Sequence, residues 1–171
     1  MKNSLKESLK SAFKKIQITI PEKDRLIIAA RKDTVLDILR FLKAKGYDHL
    51  GLVSCVDWIE ENEFELVYIL SSYLQDDNRY TEKEKTNIIV KTRIPRDEPH
   101  FFTAIPIFPI SEPYERELHE LYGIDFEGHP RQIPLFLERD YKIPPFRKDF
   151  DTRKYVEEVF DKIPFIKKES Q

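Results

Sequence analysis

The chain has 171 residues, of which 35% are charged, yet its formal net charge is only −2. This length fits one domain with an extension and is enough to bury a core, and the charge balance argues against a dedicated nucleic-acid binder, in which basic residues predominate. The single cysteine, Cys55, excludes an internal disulfide and any cysteine cage for zinc or an iron–sulfur cluster within this chain.

Cysteine usage and hydropathy also indicate where the protein works. A single cysteine favours a reducing, cytosolic compartment, and no apolar run reaches the roughly 18 residues that cross a bilayer. The segment 1–15 lacks the apolar stretch of a signal peptide. Lys and Glu are abundant, a bias typical of thermophile proteins. We therefore expect a soluble protein that meets a membrane only through a partner.

Helices and a hairpin are predicted in the first part of the chain. The amphipathic first helix and the two hairpin strands are expected at residues 4–15, 16–20 and 25–30. Thr34 is expected to cap a second helix, with Asp37 completing a variant capping box. Gly46 is expected to end that helix.

Further strands are predicted in the middle of the chain, at residues 49–58, 64–73, 86–94 and 102–107. Turn residues separate the first two, which favours an antiparallel pair. The polar loop 74–85 is expected to face solvent or a partner. The pattern predicts an α+β fold, with an antiparallel-rich sheet and helices packed on one face.

A third helix and a proline-rich tail complete the chain. Ser111 is expected to cap the helix and Gly123 to end it. Beyond Gly128, prolines alternate with aromatic residues, a composition that fixes the backbone and supplies contact area but cannot build a core. We therefore predict a core domain at 1–130 and an extended C-terminal arm at 131–171, which wraps a partner and includes a last helix at 151–163.

The stretch YERELHELYGIDFEGHP, residues 114–130, is dense in ionisable side chains. Glu115 and His119 lie four residues apart on the third helix, where they could act as base and orienter or as metal ligands. Together with His129 they define one hypothesis, a stand-alone metal-assisted hydrolase. However, an HExxH motif is absent, and such Glu–His pairs are common on solvated helix faces. A structural ion network is therefore the favoured interpretation.

Arg116 is expected to be the most sensitive residue of this stretch. It lies between Glu115 and Glu117, and its planar fork of donors can bridge carboxylates and backbone carbonyls. Burial between the helix and the turn formed by residues 128–130 would make its loss costly, whereas on a solvated face its loss would have little effect.

The same stretch resembles the signature of the small hydrophilic 30-kDa subunit of respiratory complex I. The matching residues are Glu115, Arg116, Glu117, Glu120, Leu121, Tyr122, Gly123, Ile124, Phe126, Glu127, Gly128, His129 and Pro130. Downstream, PFRKDF at 145–150 is similar to the family's second motif, and the resemblance covers about residues 34–150. The resemblance favours a buried Arg116 that contacts the turn at 128–130, because the ERE block is the most distinctive part of the motif.

This resemblance implies a peripheral-arm subunit with no catalytic residue, metal or cofactor of its own. Its partners would be the large catalytic subunit (of the 49-kDa or NiFe-hydrogenase-large type) and the iron–sulfur small subunit. Iron–sulfur clusters, and in hydrogenase relatives a NiFe centre, would lie in those partners, on the cytoplasmic side of the membrane. The implied docking residues are Glu115, Arg116, Glu117, His129, Pro130, Phe146, Arg147, Lys148, Asp149 and Phe150.

Departures from the family pattern bear on the parent complex. Phe108 and Pro113 stand where tryptophan is usual, His119 replaces an aromatic residue, and Ile133 and Pro134 replace a basic pair. These differences favour an energy-converting membrane-bound hydrogenase or a related archaeal complex over complex I itself. A free-standing interaction adaptor is the third hypothesis.

Overall fold

The computed structural model describes residues 2–22, 24–72, 87–138 and 141–159 and confirms an α+β fold. The elements in chain order are α1 (Lys2–Ala12), β1 (Ile16–Thr19), β2 (Arg25–Ala30), α2 (Val35–Ala44), β3 (His49–Trp58), β4 (Glu63–Ser71), β5 (Asn87–Pro95), β6 (His100–Phe102), α3 (Ser111–Tyr122), β7 (Asp125–Glu127) and α4 (Thr152–Val159). A short 3-10 turn, Ile59–Glu61, joins β3 to β4.

The main sheet has five strands in the order β1-β2-β5-β4-β3. Its pairs are antiparallel, as predicted, except that β2 and β5 run parallel. The predicted hairpins β1–β2 and β3–β4 are both confirmed. The parallel pair was not predicted, since it depends on β5 returning to the middle of the sheet beside a strand that precedes it by more than fifty residues.

One face of this sheet, the inner face, carries the core. Along β4 every second side chain is fully buried: Phe64, Leu66, Tyr68 and Leu70. Helix α2 supplies Val35, Ile38, Leu39 and Leu42 to the same core, and α1 supplies Leu5 and Leu9. This alternation is the period-2 pattern of a strand with one covered face. The placement of helices on one face is therefore confirmed, and Cys55 lies in the core.

Thr34 is the N-cap residue of α2, as predicted, but the expected capping box does not form. Its side chain makes no capping bond, since its hydroxyl donates to Asp33, and Asp37 pairs with Arg40. The predicted cap of α3 is wrong. The residue before α3 is Ile110, and Ser111 is already its first helical residue. The C-terminal signals hold, because Gly46 and Gly123 adopt the positive φ angles that end helices.

The predicted strand at 102–107 is also wrong. Strand β6 ends at Phe102, and the amides of Ile107 and Phe108 both bond to the carbonyl of Ala104, which folds the segment into a turn. Pro106 lies within this turn and has no amide hydrogen for a strand ladder.

Two predictions lie outside the described residues, namely the loop 74–85 and the end of the last helix at 160–163. The described part of that helix, α4, begins at Thr152. Within the ranges that the structure describes, no helix has both the length and the apolar character needed to cross a bilayer.

Candidate functional site

Glu115 on α3 is fully buried and is held by the segment that follows β6. Its two carboxylate oxygens accept hydrogen bonds from the Thr103 hydroxyl, at 2.6 Å, and from the Ala104 amide, at 2.7 Å. Burial raises the pKa of this carboxyl, and the two hydrogen bonds oppose that shift. The carboxylate of Glu115 therefore joins α3 to the turn inside the core, through a hydroxyl and a backbone amide rather than through the structural ion network favoured from the sequence.

The two histidines of the hydrolase hypothesis are engaged separately. His119 donates from Nδ1 to the Ile124 carbonyl at 2.9 Å, which braces the end of α3. His129 accepts the Arg131 amide hydrogen on Nδ1 at 3.0 Å, in the turn after β7. Nowhere in the described ranges do three or more His, Cys, Asp or Glu side chains come together as a metal site. Glu115, His119 and His129 therefore do not assemble the predicted ligand set.

Arg116 binds the C-terminal arm. Its Nε and Nη2 atoms donate to the carbonyls of Ile133, at 3.0 Å, and Pro134, at 2.9 Å, while Nη1 lies 3.4 Å from Glu112. With a side chain only 15% exposed, Arg116 is largely buried, as predicted. Its guanidinium bridges a carboxylate and two backbone carbonyls, as its donor geometry suggested, but the arm replaces the predicted 128–130 turn as its partner.

Glu120 lies one turn further along α3 and binds the next part of the arm. Its carboxylate accepts the amides of Leu135 and Phe136, each at 3.0 Å, and of Leu137. Arg116 and Glu120 together therefore bind carbonyls and amides of the consecutive arm residues 133–137. Both side chains bind main-chain atoms of the arm, so the side chains of this segment are not used in the contact.

The second motif, at 145–150, packs on the end of α3. Arg147 donates from Nε to the Tyr122 carbonyl at 2.7 Å, and its guanidinium lies 5.2 Å from the centre of the Phe64 ring. Gly123 makes this approach possible, because a Cβ there would lie 3.1 Å from Nη2 of Arg147 and 3.0 Å from Pro144. Burial, followed by the nearby Arg96, lowers the pKa of Arg147.

A buried ion network joins the arm to the sheet. Arg96, just after β5, binds Asp57 of β3 at 2.8 Å and Asp149 of the arm at 2.5 Å. Asp57 also accepts the Lys148 amide at 2.8 Å. Hydrogen bonds to Asp57 and then Asp149 raise the pKa of Arg96, and Arg96 lowers that of Asp149. The network therefore connects three parts of the chain that are distant in sequence.

The remaining predicted docking residues lie nearer the surface. Phe146 is 57% exposed, and its ring makes a T-shaped contact with that of Tyr122. Phe150 packs with Tyr141 and Tyr155 in an aromatic group within the arm. Glu117 is half-buried, and the side chains of Pro130 and Lys148 are exposed.

Four of the predicted docking residues, namely Glu115, Arg116, Arg147 and Asp149, bind partners within the chain, whereas the residues described in the previous paragraph lie nearer the surface. Because Glu115 is fully buried, any docking role for it is indirect. Sequence reasoning did not assign a role to Glu120, Asp57 or Arg96, although Glu120 is part of the family signature and all three lie within the range that the resemblance covers. The opposite charges of Arg116 and Glu120 at i and i+4 were the available signal for an arm-binding face.

Comparisons with known proteins support the family resemblance. Residues 28–156 match the family model described as "Respiratory-chain NADH dehydrogenase, 30 Kd subunit". The C-type subunit of the F(420)H(2) dehydrogenase of Methanosarcina mazei is 35% identical over 122 residues, which cover 70% of this chain and 72% of that protein. The C-type subunit of the NADH-quinone oxidoreductase of Bartonella tribocorum is 30% identical over 151 residues, covering 86% and 70%.

A solved structure agrees with the fold. A chain in the structure of the membrane-bound sulfane sulfur reductase, described as an archaeal respiratory membrane complex, superposes with a TM-score of 0.79 at 28% identity. The match covers 95% of this chain and 96% of that one. On the family model, the identity to these relatives and the shared fold, this chain belongs to the family of the 30-kDa subunit of the respiratory-chain NADH dehydrogenase.

Proposed function

We propose that the chain is a non-catalytic, peripheral-arm subunit of a membrane-bound, ion-translocating oxidoreductase complex. In this proposal it docks on the large catalytic subunit and on the iron–sulfur small subunit, on the cytoplasmic side of the membrane. Its family, which consists of subunits of respiratory oxidoreductases, supports the general assignment. The partners, the side of the membrane and ion translocation belong to the proposal.

The observation that carries the proposal is how the arm is held. Arg116 and Glu120 bind its backbone, and Arg147 and Asp149 fasten it further along. Large apolar side chains nevertheless remain outside, with Phe136 66% exposed. A chain that merely needed a stable tail would bury such rings. An ordered backbone with exposed aromatic side chains suits a binding segment. The free chain has already lost part of the conformational entropy that binding would otherwise remove.

The absence of a catalytic role is supported by the geometry of the ionisable groups. Glu115, His119 and His129 are each engaged by local partners rather than directed together at an open cleft. We therefore assign the iron–sulfur clusters, and a NiFe centre if the complex is a hydrogenase, to the partner subunits. The likeness to the F(420)H(2) dehydrogenase subunit of Methanosarcina mazei, at 35% identity, and to a chain of an archaeal respiratory membrane complex, at 28%, supports a related archaeal complex as the parent.

Affinity purification of the tagged chain from native membranes tests the proposal. We expect a large catalytic subunit and an iron–sulfur subunit in equal amounts with the chain. The double variant Phe136→Ala/Phe146→Ala should reduce their recovery, since exposed aromatic anchors dominate interfaces. Ile20→Ala, which alters an exposed apolar residue of the core domain, is the matched control.

Two results would contradict the proposal. The first is purification of the chain alone from membranes in which the oxidoreductase is active. The second is stoichiometric zinc or manganese in the purified chain, which would favour the hydrolase hypothesis. Co-purification of the chain with only an unrelated soluble protein, and with no oxidoreductase subunit, would instead favour the adaptor hypothesis.

A further inference from the structure

The face of the main sheet opposite the core, here called the outer face, carries an unusual row of aliphatic side chains. Ile27 lies opposite Ile89, Ile89 opposite Ile69, and Ile69 opposite Leu52. This aliphatic row therefore crosses β2, β5, β4 and β3, a width of about 14 Å at the usual strand spacing. Leu52 is 39% exposed. On a sheet face that is exposed to solvent, the side chains at such positions are normally polar.

Charged residues beside the aliphatic row are already paired with one another. Lys91 binds Glu65 at 2.9 Å, and Arg93 binds Glu63 at 3.0 Å. The guanidinium of Arg93 also lies 4.5 Å from the centre of the Trp58 ring. A partner could cover these groups without leaving a charge buried and unpaired, which is the costly outcome.

Positive charge remains at the β1–β2 corner of the same face. Lys15 and Lys32 line a shallow concavity there, together with Arg31 and Arg93. Arg31 is paired with Asp33 at 2.7 Å. Within the ranges that the structure describes, Lys15 and Lys32 form no ion pair. The outer face thus combines an apolar row, a neutralised ion cluster and two cations without a counter-charge.

We infer that the outer face is a second docking surface, separate from the arm, for an amphipathic helix of another subunit. The apolar side of that helix covers the aliphatic row, and its carboxylates pair with Lys15 and Lys32. A helix is the natural cover because a sheet face, unlike a sheet edge, is covered by helices or by another sheet. This inference rests on the proposed function, since it requires a partner subunit.

Two other occupants fit the face less well. Recognition of an anionic membrane surface typically uses clusters of about four to eight basic residues, whereas Lys15 and Lys32 are the cations left without a counter-charge in the described part of this face. A second copy of the chain would offer Glu63 and Glu65 to those lysines, but both are already bound to Arg93. The charge pattern therefore favours a different, acidic partner.

Cysteine labelling in the assembled complex tests the inference directly. Ser54 lies on the outer face next to the row, opposite Val67, and Ser54→Cys introduces a thiol there. The natural Cys55 is buried with its pKa raised to about 12, so it reacts slowly with maleimides. We expect labelling at position 54 to be at least about tenfold slower in the complex than in the isolated chain. Ser11→Cys, on the exposed side of α1, should label equally in both.

A benzophenone maleimide attached at position 54 identifies the occupant. The expected cross-linked peptide belongs to another subunit and has apolar residues at helical spacing with Asp or Glu among them. Equal labelling rates, a cross-link to lipid, or a cross-link to a second copy of this chain would each overturn the inference.

Charge and apolar variants give an independent readout. Leu52→Lys, and separately Lys15→Glu/Lys32→Glu, should reduce partner recovery at least about tenfold and leave the melting temperature of the isolated chain nearly unchanged. The matched controls are Ile20→Lys, at 38% exposure, and Lys10→Glu. Wild-type recovery for both test variants would overturn the inference.

The two proposals fail in different ways. If the wild-type chain assembles and arm variants prevent assembly while outer-face variants do not, the second surface alone is wrong. If the wild-type chain never recovers oxidoreductase subunits, the proposed function fails and the inference fails with it.

Discussion

At the scale of single residues, Arg116 gives the most direct test of how the arm is held. Arg116→Ala removes both donors to the Ile133 and Pro134 carbonyls, and hydrogen bonds from charged groups contribute about 1.5–3 kcal/mol each when well shielded. We expect a loss of about 1–3 kcal/mol in the free energy of unfolding, measured with urea. Arg116→Lys should recover less than half of it, because an ammonium cannot reproduce the two-pronged geometry.

Arg153→Ala on α4 is the control for Arg116, since its side chain is exposed and should change stability by less than about 0.5 kcal/mol. Wild-type stability and assembly for Arg116→Ala would show that the arm does not depend on this residue.

Glu115 predicts a pH dependence with a definite sign. Burial raises its pKa above the ordinary value of 4.5, so the folded chain keeps this proton over a pH range in which the unfolded chain has lost it. Its contribution to stability is therefore greatest below that ordinary value and is lost as the pH rises through the raised pKa. Glu115→Gln does not titrate, and we expect its stability relative to wild type to improve as the pH rises from about 4 to 8.

Urea unfolding at a series of pH values measures this difference. Glu117→Gln, at a half-buried neighbouring position, should run parallel to wild type throughout. A difference between Glu115→Gln and wild type that does not vary with pH would mean that the carboxyl titrates normally.

The sequence, together with the family resemblance, indicated part of this site. The ERE block and the RKDF motif lie where α3 meets the arm, and the resemblance favoured the burial that Arg116 shows. The burial of Glu115 did not follow, because its partner is the backbone amide of Ala104, and amide positions depend on a turn that sequence reasoning placed in a strand. The pairing of Arg96 with Asp57 was not predicted either, because the two residues lie 39 positions apart and meet only through the tertiary fold.

At the scale of elements, side chains of α3 bind the backbone of the arm segment 133–137. Glu120→Ala removes the acceptor of three consecutive amides. Because those amides would then meet only water, their hydrogen exchange should accelerate by at least about tenfold, while exchange in β4 stays unchanged. Mass-spectrometric exchange on the isolated chain measures both.

Glu117→Ala is the matched control on α3, and it should leave exchange in the arm as in wild type. Unchanged exchange at residues 135–137 in Glu120→Ala would show that the carboxylate is not what orders this segment. The same variant should also expose the arm to protease sooner, since none of its described residues is fully buried.

Element type was predictable where periodicity was long, and topology was less so. The alternation along β4 and the apolar spacing of α2 identified both elements. The parallel pairing of β2 with β5 was not predicted, because it is set by packing between segments remote in sequence. The turn at 103–107 was missed for a different reason, since its apolar residues mimic a strand while Pro106 prevents one.

At the scale of the whole molecule, the Arg96 network holds sheet and arm together. Arg96→Ala would leave Asp57 buried without its counter-charge, and breaking a buried pair in this way costs about 3–5 kcal/mol. Denaturant unfolding should show that loss together with earlier proteolysis of the arm. Arg40→Ala, which removes an exposed pair with Asp37, should cost less than about 1 kcal/mol. Equal effects of the two variants would rule out the network as the main link.

Variants of the ionisable residues in this chain are expected to affect assembly of the complex but not electron transfer within the assembled complex, because these residues form structural contacts. His119→Ala removes a brace on the Ile124 carbonyl, and Glu115→Gln keeps the shape of the buried carboxyl, so each variant should still allow some complex to form. In the complex that does form, electron transfer per assembled unit should stay within about twofold of wild type. Loss of a general acid or base typically lowers the rate by about a hundredfold or more. Electron-transfer assays normalised to the iron–sulfur content of the purified complex measure this, and a hundredfold loss in a fully assembled complex would assign chemistry to this subunit.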